Sequence, residues 1–148
     1  MTGGPLKLSA EDIDGLTVIS ACLQDAVTHG TEFVYQPKQH RFAATFSRFM
    51  WERSVGKALP HNLRIRTGLH FDGVLAVRFR ELNRDAEQIL ELLSIIGQTG
   101  DDGAAMIALE FAGDSAIQLE VECVACYLSD IGKPWQASRR PDHDLDPE

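Results

Sequence analysis

Few cysteines and no long apolar run are present in the sequence, and these two scarcities exclude several classes of protein. The three cysteines, Cys22, Cys123 and Cys126, are odd in number and too few for the disulfide framework of a small secreted protein. No apolar run approaches the ~20 residues that a membrane-spanning helix needs. The first residues carry no basic patch followed by an apolar stretch, so we expect no signal peptide. These features predict a cytoplasmic protein with no membrane partner.

Known catalytic and cofactor motifs are also missing. The sequence has no phosphate-binding loop, no dinucleotide fingerprint, no nucleophile elbow and no His-Glu-x-x-His zinc motif. No two of the five histidines share a helix or strand spacing that would make a metal chelate. We therefore expect no metal and no cofactor, and the sequence leans away from an enzyme without deciding the point.

Positive charge is absent from one long stretch of the chain. Residues 85–132 hold ten Asp or Glu and no Lys or Arg, whereas residues 32–84 hold ten Lys or Arg against four acids, a net charge of +6. The whole chain carries −8, which disfavours nucleic acid as a partner, because non-specific binding to nucleic acid needs an extended positive surface. The separation instead predicts that a basic and an acidic part of the protein meet.

The length of 148 residues and the spacing of apolar residues predict a single α+β domain over residues 1–135, followed by a flexible polar tail over 136–148. We expect about seven antiparallel strands in a strongly bent sheet or partial barrel. An N-terminal helix over about 10–24, capped by Ser9, packs on this sheet. A short C-terminal helix over about 124–131 ends at Gly132. Residues 85–98 fit a helix or a strand, and we interpret them as a helical turn leading into a strand.

One long strand shows an irregular pattern. Phe42, Ala44 and Phe46 alternate inward, but Phe49 and Trp51 lie in the opposite phase. A bulge near Ser47-Arg48 is the simplest explanation, because one extra residue exchanges the two faces of a strand.

The next two strands are expected to form a hairpin at Asp72-Gly73. A three-residue loop sets Phe71 opposite Leu75 and keeps the apolar side chains of both strands on one face. In this register Arg66 lies beside Arg80.

The same register gathers a candidate ligand site, the predicted arginine face. Its members are Arg64, Arg66, His70, Arg78 and Arg80. Because like charges directly opposite each other are destabilising, something negative should lie among them. Three interpretations remain open: neutralisation by Glu110, Glu120 and Glu122 of the later strands, binding of an anionic ligand by the guanidinium groups, or contact with the acidic face of a second copy.

The Cys-x-x-Cys sequence at Cys123 and Cys126 allows a redox role or half of a zinc site. No second pair completes four zinc ligands, and Cys123 falls in the inward phase of its predicted strand. Buried thiols are therefore the favoured interpretation.

Short motifs spread over nearly the whole chain resemble those of one protein family. They are Pro5-Leu6-Lys7-Leu8, Leu23-Gln24-Asp25-Ala26-Val27, Pro37-Lys38 with Arg41-Phe42-Ala43, Gly68-Leu69 with Phe71, Phe111-Ala112-Gly113, and Val121-Glu122-Cys123 running to Gly132-Lys133-Pro134-Trp135. From about residue 5 to His143 the sequence is similar to domain of unknown function 2948, a small family mostly from alphaproteobacteria. The resemblance implies a bacterial cytoplasmic protein and no particular mechanism.

The charge separation and the missing catalytic motifs favour a non-enzymatic binding or assembly module of unknown partner. One form of assembly is a homo-oligomer held through complementary charged faces. The alternative is a small anionic-ligand-binding protein, or a weak enzyme, that uses the arginine-lined β face.

Overall fold

The computed structural model describes residues 6–50, 63–82, 88–100, 102 and 104–136. Within these residues one α-helix, α1, spans Ile13–Cys22, and two short 3-10 helices span Gly30–Glu32 and Pro37–Gln39. The same residues form ten strands, with these bounds: β1 Lys7–Ala10, β2 Val27–His29, β3 Val34–Gln36, β4 Arg41–Phe49, β5 Leu63–Phe71, β6 Val74–Arg80, β7 Ile89–Thr99, β8 Ala105–Phe111, β9 Ala116–Val121 and β10 Cys126–Gln136.

All ten strands belong to one antiparallel sheet in the order β1-β10-β5-β4-β2-β7-β8-β9-β6, with β3 paired to β4. The sheet is not closed, because β1 and β6 form its two ends. The predicted α+β fold with about seven strands and two helices is therefore wrong: the described chain is mostly antiparallel sheet with a single helix. That helix is too short to cross a membrane.

The sheet has two halves, one formed by β1, β10, β5, β4 and β3 and the other by β7, β8, β9 and β6. They meet at β2, which pairs with β4 only at Val27 and Ser47 and with β7 over three residues. The chain crosses between the halves at residues 72–73 and again at 122–125. These crossings lie together, because the Asp72 N–H donates to the Ala125 carbonyl at 2.9 Å and the Glu122 N–H donates to the Gly73 carbonyl at 2.9 Å.

Apolar side chains from both halves and from α1 form a continuous core. Leu16, Ile19 and Leu23 are buried against the sheet. Gly97 of β7 lies directly beneath α1, and a Cβ there would come within 2.8 Å of the Ile13 Cδ1 atom. The missing side chain thus allows the helix to approach the sheet closely. The helix begins later than predicted, since Asp12 and not Ser9 caps it by accepting a hydrogen bond from the Gly15 N–H at 2.8 Å.

The predicted C-terminal helix is a strand, β10, which pairs with both β1 and β5. Cys126, Leu128 and Asp130 are buried in alternation, which is the period of a strand. The aspartate at an inward position hides this alternation in the sequence. Gly132, predicted to cap a helix, instead has φ +75° beside a register shift in β10.

The predicted bulge in β4 is also wrong. The ladder between β4 and β5 runs from Phe42 opposite Phe71 to Phe49 opposite Arg64 with no shift in register. Arg48 occupies the next inward position after Phe46, so the phase of the strand never changes.

Residues 85–98 were expected to form a helical turn leading into a strand, but the part from Ile89 onward belongs entirely to strand β7. Residues 85–87 lie outside the described residues. So does the predicted tail apart from Gln136, which is the last residue of β10.

Candidate functional site

The predicted arginine face is divided between the two halves of the sheet. The expected hairpin does not form, because β5 pairs with β4 and β10, whereas β6 pairs with β9. Arg66 lies opposite Ser47 and Ile131, and Arg80 lies opposite Ala116. The apolar faces of β5 and β6 match, so the sequence fitted a hairpin of these two consecutive strands. The same alternation does not show which strands elsewhere in the chain are their actual neighbours.

Arg64 is buried on the outer face of the sheet, the face turned away from the core. Its guanidinium lies 4.1 Å from the centroid of the Phe49 ring. Nε and Nη2 donate to the Ser47 hydroxyl at 2.8 Å and to the Ser47 carbonyl at 2.7 Å. Burial lowers the pKa of Arg64. Arg64 therefore joins β5 to β4 and has little guanidinium left for a ligand.

His70 belongs to a separate exposed cluster at the crossing between the halves. Its ring stacks on Tyr127 with centroids 4.8 Å apart, and its Nε2 lies 3.9 Å from Asp72 Oδ2. Arg41 donates to both carboxylate oxygens of Asp72 at 2.8 and 3.4 Å. Burial and the Arg41 charge lower the pKa of His70, while Asp72 partly opposes them. Within the cluster the Arg41 charge is met by the Asp72 carboxylate.

Arg78 and Arg80 line a shallow groove of about 280 Å³ on the outer face of β6, β9 and β8. We call it the arginine groove, and its described lining consists of Arg78, Phe79, Arg80, Ala108, Glu110, Ala116 and Gln118. Two cross-strand rows build it: Arg78, Gln118 and Ala108 form one, and Arg80, Ala116 and Glu110 form the other. Ala116 of β9 lies between Arg80 and Glu110, and Ala108 of β8 ends the Arg78 row within the groove, so two small side chains leave space on this face.

The two arginines of the groove differ in their partners. Arg80 donates from Nη2 to Glu110 at 3.3 Å and from Nε to the Asp114 carbonyl at 3.1 Å. The predicted neutralisation by a later acidic strand therefore occurs for Arg80. No hydrogen bond or ion pair joins the Arg78 side chain to any other residue that the structure describes, and its opposite neighbour in the ladder is the neutral Gln118. The described lining thus carries two guanidinium groups against one carboxylate.

The other two predicted counter-charges lie elsewhere. Glu120 lies opposite Ala76 and Met106 and lines a neighbouring depression. Glu122 is exposed beyond the end of β9. Neither forms an ion pair within the described part of the chain.

A buried ion pair was missed in the sequence. Arg48 donates from Nε and Nη2 to the two carboxylate oxygens of Asp130 at 2.9 and 2.8 Å, and both side chains are 0% exposed. The Leu6 N–H also donates to Asp130, at 3.0 Å. Burial acts to raise the pKa of Asp130, but the hydrogen bonds from Arg48 and Leu6 outweigh it and hold that pKa below its usual value. The pair is enclosed, so it joins β4, β10 and the N-terminal segment; the inward phase of Arg48 in β4 was the available signal.

A second missed feature is a pair of carboxyl groups where the two halves meet. Burial raises the pKa of Glu91, and hydrogen bonding with Asp25 and the charge of Asp25 raise it further, against the opposing charge of Arg64. Asp25 adopts a left-handed backbone with φ +66°, which non-glycine residues rarely do. The two acids lie far apart in the sequence, at positions 25 and 91, so no local pattern pointed to them.

The Cys-x-x-Cys pair does not form a reactive unit. Cys126 is buried in β10, and burial raises the pKa of its thiol to about 12, so it remains protonated at neutral pH. Cys123 is exposed, contrary to its predicted inward position. Among the described residues, no group of three or more His, Cys, Asp or Glu side chains is placed to hold a metal ion.

Comparison with protein-family models matches residues 6–143 to the family described as Protein of unknown function (DUF2948). Comparisons with curated proteins and with solved structures give no significant match. The match covers most of the chain and confirms the resemblance expected from its motifs.

Proposed function

The chain belongs to the DUF2948 family of proteins of unknown function, and we propose that it is a cytoplasmic, non-enzymatic binding protein that holds an acidic group in the arginine groove. The acidic group is a carboxylate or a phosphate, either of which accepts hydrogen bonds from two guanidinium donors. The observation that carries the proposal is Arg78, an exposed guanidinium with no partner among the described residues, beside a floor of alanines.

The charge of the groove supports an anion over a cation or a neutral ligand. Glu110 engages Arg80, which leaves the Arg78 charge uncompensated within the described lining. The alanines give an anion room to approach both arginines, whose Cα atoms are roughly 7 Å apart because residues two apart in a strand rise twice ~3.4 Å.

The chemistry of the groove supports binding without catalysis. Its described lining contains no serine, cysteine or histidine, and Glu110 already accepts a hydrogen bond from Arg80. A nucleophile and a general base are the groups that hydrolytic or transfer chemistry requires. A cytoplasmic location is supported by the free thiols of all three cysteines, which are typical of a reducing compartment.

The test is a thermal-shift and calorimetric titration with phosphate, citrate and glutamate, followed by the variants Arg78→Ala and Arg66→Ala. We expect at least one anion to raise the melting temperature, and Arg78→Ala to abolish that rise. Arg66→Ala is the matched control, since Arg66 is also an exposed strand arginine but lies outside the groove. Binding that neither variant changes, or no binding of any anion, contradicts the proposal.

A second candidate function is assembly with another copy of the chain. Three aliphatic side chains of β7 are exposed on its surface: Ile89 at 69%, Leu93 at 49% and Ile96 at 53%. Ile96 lies beside Ala108 in the same cross-strand row as Arg78. Glu120 of β9 and Arg78 of β6 both lie on the same side of this apolar stripe, beyond β8. An apolar stripe beside a surface that carries both signs of charge suits a two-fold contact, in which the basic group of each copy meets the acidic group of the other.

A further inference from the structure

We propose that the acid held in the arginine groove is a small aliphatic monocarboxylic acid, whose carboxylate lies at Arg78 and whose alkyl chain lies across Ala108 to Ile96. This inference rests on the proposed function and names the class of its ligand. It follows from a row of side chains on the outer face that is basic at one end and apolar at the other, and from the carboxylates on both sides of that row.

The first step concerns the composition of the Arg78 row. Its Cα pairing runs from Arg78 of β6 to Gln118 of β9 and then to Ala108 of β8. Beyond the groove the same row continues to Ile96 of β7, which is 53% exposed. The row therefore offers a guanidinium donor, a neutral amide, a small apolar side chain and a branched apolar side chain, in that order. An acid with a polar head and an apolar body matches this order.

The second step concerns the length of the row. Neighbouring strands lie ~4.8 Å apart, so the backbones of Arg78 and Ile96, which are three strands apart, are separated by roughly 14 Å. A carboxylate that lies over Gln118 and accepts hydrogen bonds from Arg78 is about two strand spacings, or ~10 Å, from Ile96. An alkyl chain of medium length covers that distance, whereas acetate or phosphate contacts the basic end alone. The small side chain of Ala108 lets the chain lie flat between the two ends.

The third step concerns the charge of the ligand. Glu110 is two residues from Ala108 on β8, and Glu120 is two residues from Gln118 on β9, so each neighbouring row of the outer face carries one carboxylate. A ligand with a second negative charge would bring that charge towards one of these groups, and like charges repel each other. The surroundings of the row therefore favour a single negative charge with an uncharged remainder, which selects a monocarboxylate over phosphate or citrate.

The experiment is a calorimetric titration of the full-length protein with acetate, butyrate, hexanoate and octanoate, at concentrations where each acid is monomeric. These acids share one head group and differ only in the length of the alkyl chain. Octylamine carries a similar chain with the opposite charge. Suberate has the same number of carbon atoms as octanoate, with a second carboxylate at the far end of the chain.

We expect octanoate to bind about fifteenfold more tightly than butyrate, because each of four additional CH₂ groups, half-buried against the sheet, contributes about a factor of two. Octylamine should not bind, because its charge repels Arg78. Suberate should bind more weakly than octanoate, because its second carboxylate would lose water beside Ile96 without gaining a partner.

Two isoleucines of β7 provide a matched pair of variants. Ile96→Ser should lower the affinity for octanoate towards that for butyrate and leave the affinity for butyrate unchanged. Ile89→Ser should change neither, since Ile89 is an exposed isoleucine of the same strand that lies opposite His29 of β2, outside the Arg78 row. Arg78→Ala should weaken the binding of every carboxylate.

Several outcomes would overturn the inference. If the acids bind with dependence on Arg78 but with equal affinity at every chain length, the alkyl contact is wrong and the proposed function stands. If Ile89→Ser and Ile96→Ser reduce octanoate binding equally, the alkyl chain does not follow the Arg78 row. If neither these acids nor phosphate bind, both proposals fail. A dimer that Ile96→Ser dissociates and octanoate leaves intact, measured by sedimentation, would assign the apolar end of the row to a second copy.

Discussion

Arg48 and Asp130 illustrate how one pair of side chains alters the interpretation of two strands. Arg48 lies among inward-facing apolar residues of β4 and made the strand look as if its two faces were exchanged. Asp130 also faces inward and concealed the strand character of β10. Each residue can be buried only because the other is present, since a buried charge needs a partner and hydrogen bonds. The partners are 82 residues apart in sequence, so no local pattern reveals the pairing.

Removing one member of this pair should be far more damaging than breaking an exposed pair of the same type. We expect Asp130→Asn to lower the free energy of unfolding by about 3–5 kcal/mol, because Arg48 stays buried without a carboxylate. The control is Asp72→Asn, which breaks the exposed pair with Arg41 and should cost about 0–1 kcal/mol. Urea denaturation at pH 7 measures the free energy of unfolding of both variants. Equal losses would contradict the larger contribution expected of the buried pair.

The pH dependence of Glu91 follows from its raised pKa. Folding favours its protonated form, so its contribution to stability is full below the ordinary pKa near 4.5 and is lost as the pH rises through the raised value. Glu91→Gln removes the ionisation and should therefore raise the melting temperature at pH 7 more than at pH 4. Glu122→Gln, at an exposed position, serves as the control. An equal gain at both pH values for Glu91→Gln would show that charge is not the cause.

At the level of single elements, the strands with unbroken alternation were predictable. Ile107, Leu109 and Phe111 of β8 and Ile117 and Leu119 of β9 recur at every second position of the sequence, and all five are buried. The pairing of β6 was not predictable, because Val74 is the buried residue where the hairpin register required Leu75. Which strand lies beside which depends on contacts across the whole sheet, and the loss of the hairpin divided the predicted arginine face.

Strand β7 gives the assembly hypothesis its own test. If its exposed aliphatic stripe joins two copies, sedimentation at increasing concentration should reveal a dimer, and Ile96→Asp should shift it to monomer by placing a charge in an apolar contact. Val34→Asp is a suitable control, since Val34 is an equally exposed aliphatic residue on β3. A monomer at all concentrations, or a dimer that Ile96→Asp does not weaken, would exclude this stripe as the contact.

At the scale of the whole molecule, the basic and acidic stretches of the sequence do not form two separate parts of the sheet. The basic stretch forms β4 and β5 in one half but also β6 at the far end of the sheet, next to acidic β9. Basic and acidic strands do meet, at Arg80 and Glu110. The local positive charge of the groove belongs to a chain with a net charge of −8, so its attraction for acids should be short in range and sensitive to salt.

The pairing of β1 with β10 also governs how the chain reaches its native state. Within the described residues β1 pairs only with β10, and the Leu6 N–H donates to Asp130, which lies 124 residues further along the chain. During synthesis on a ribosome, Arg48 would emerge long before its carboxylate, and β5 would lack one of its two neighbours until the final strand is released. Contacts that span so much of the chain slow folding, because a large loop must close before they form. The sheet is therefore completed only after translation has reached β10.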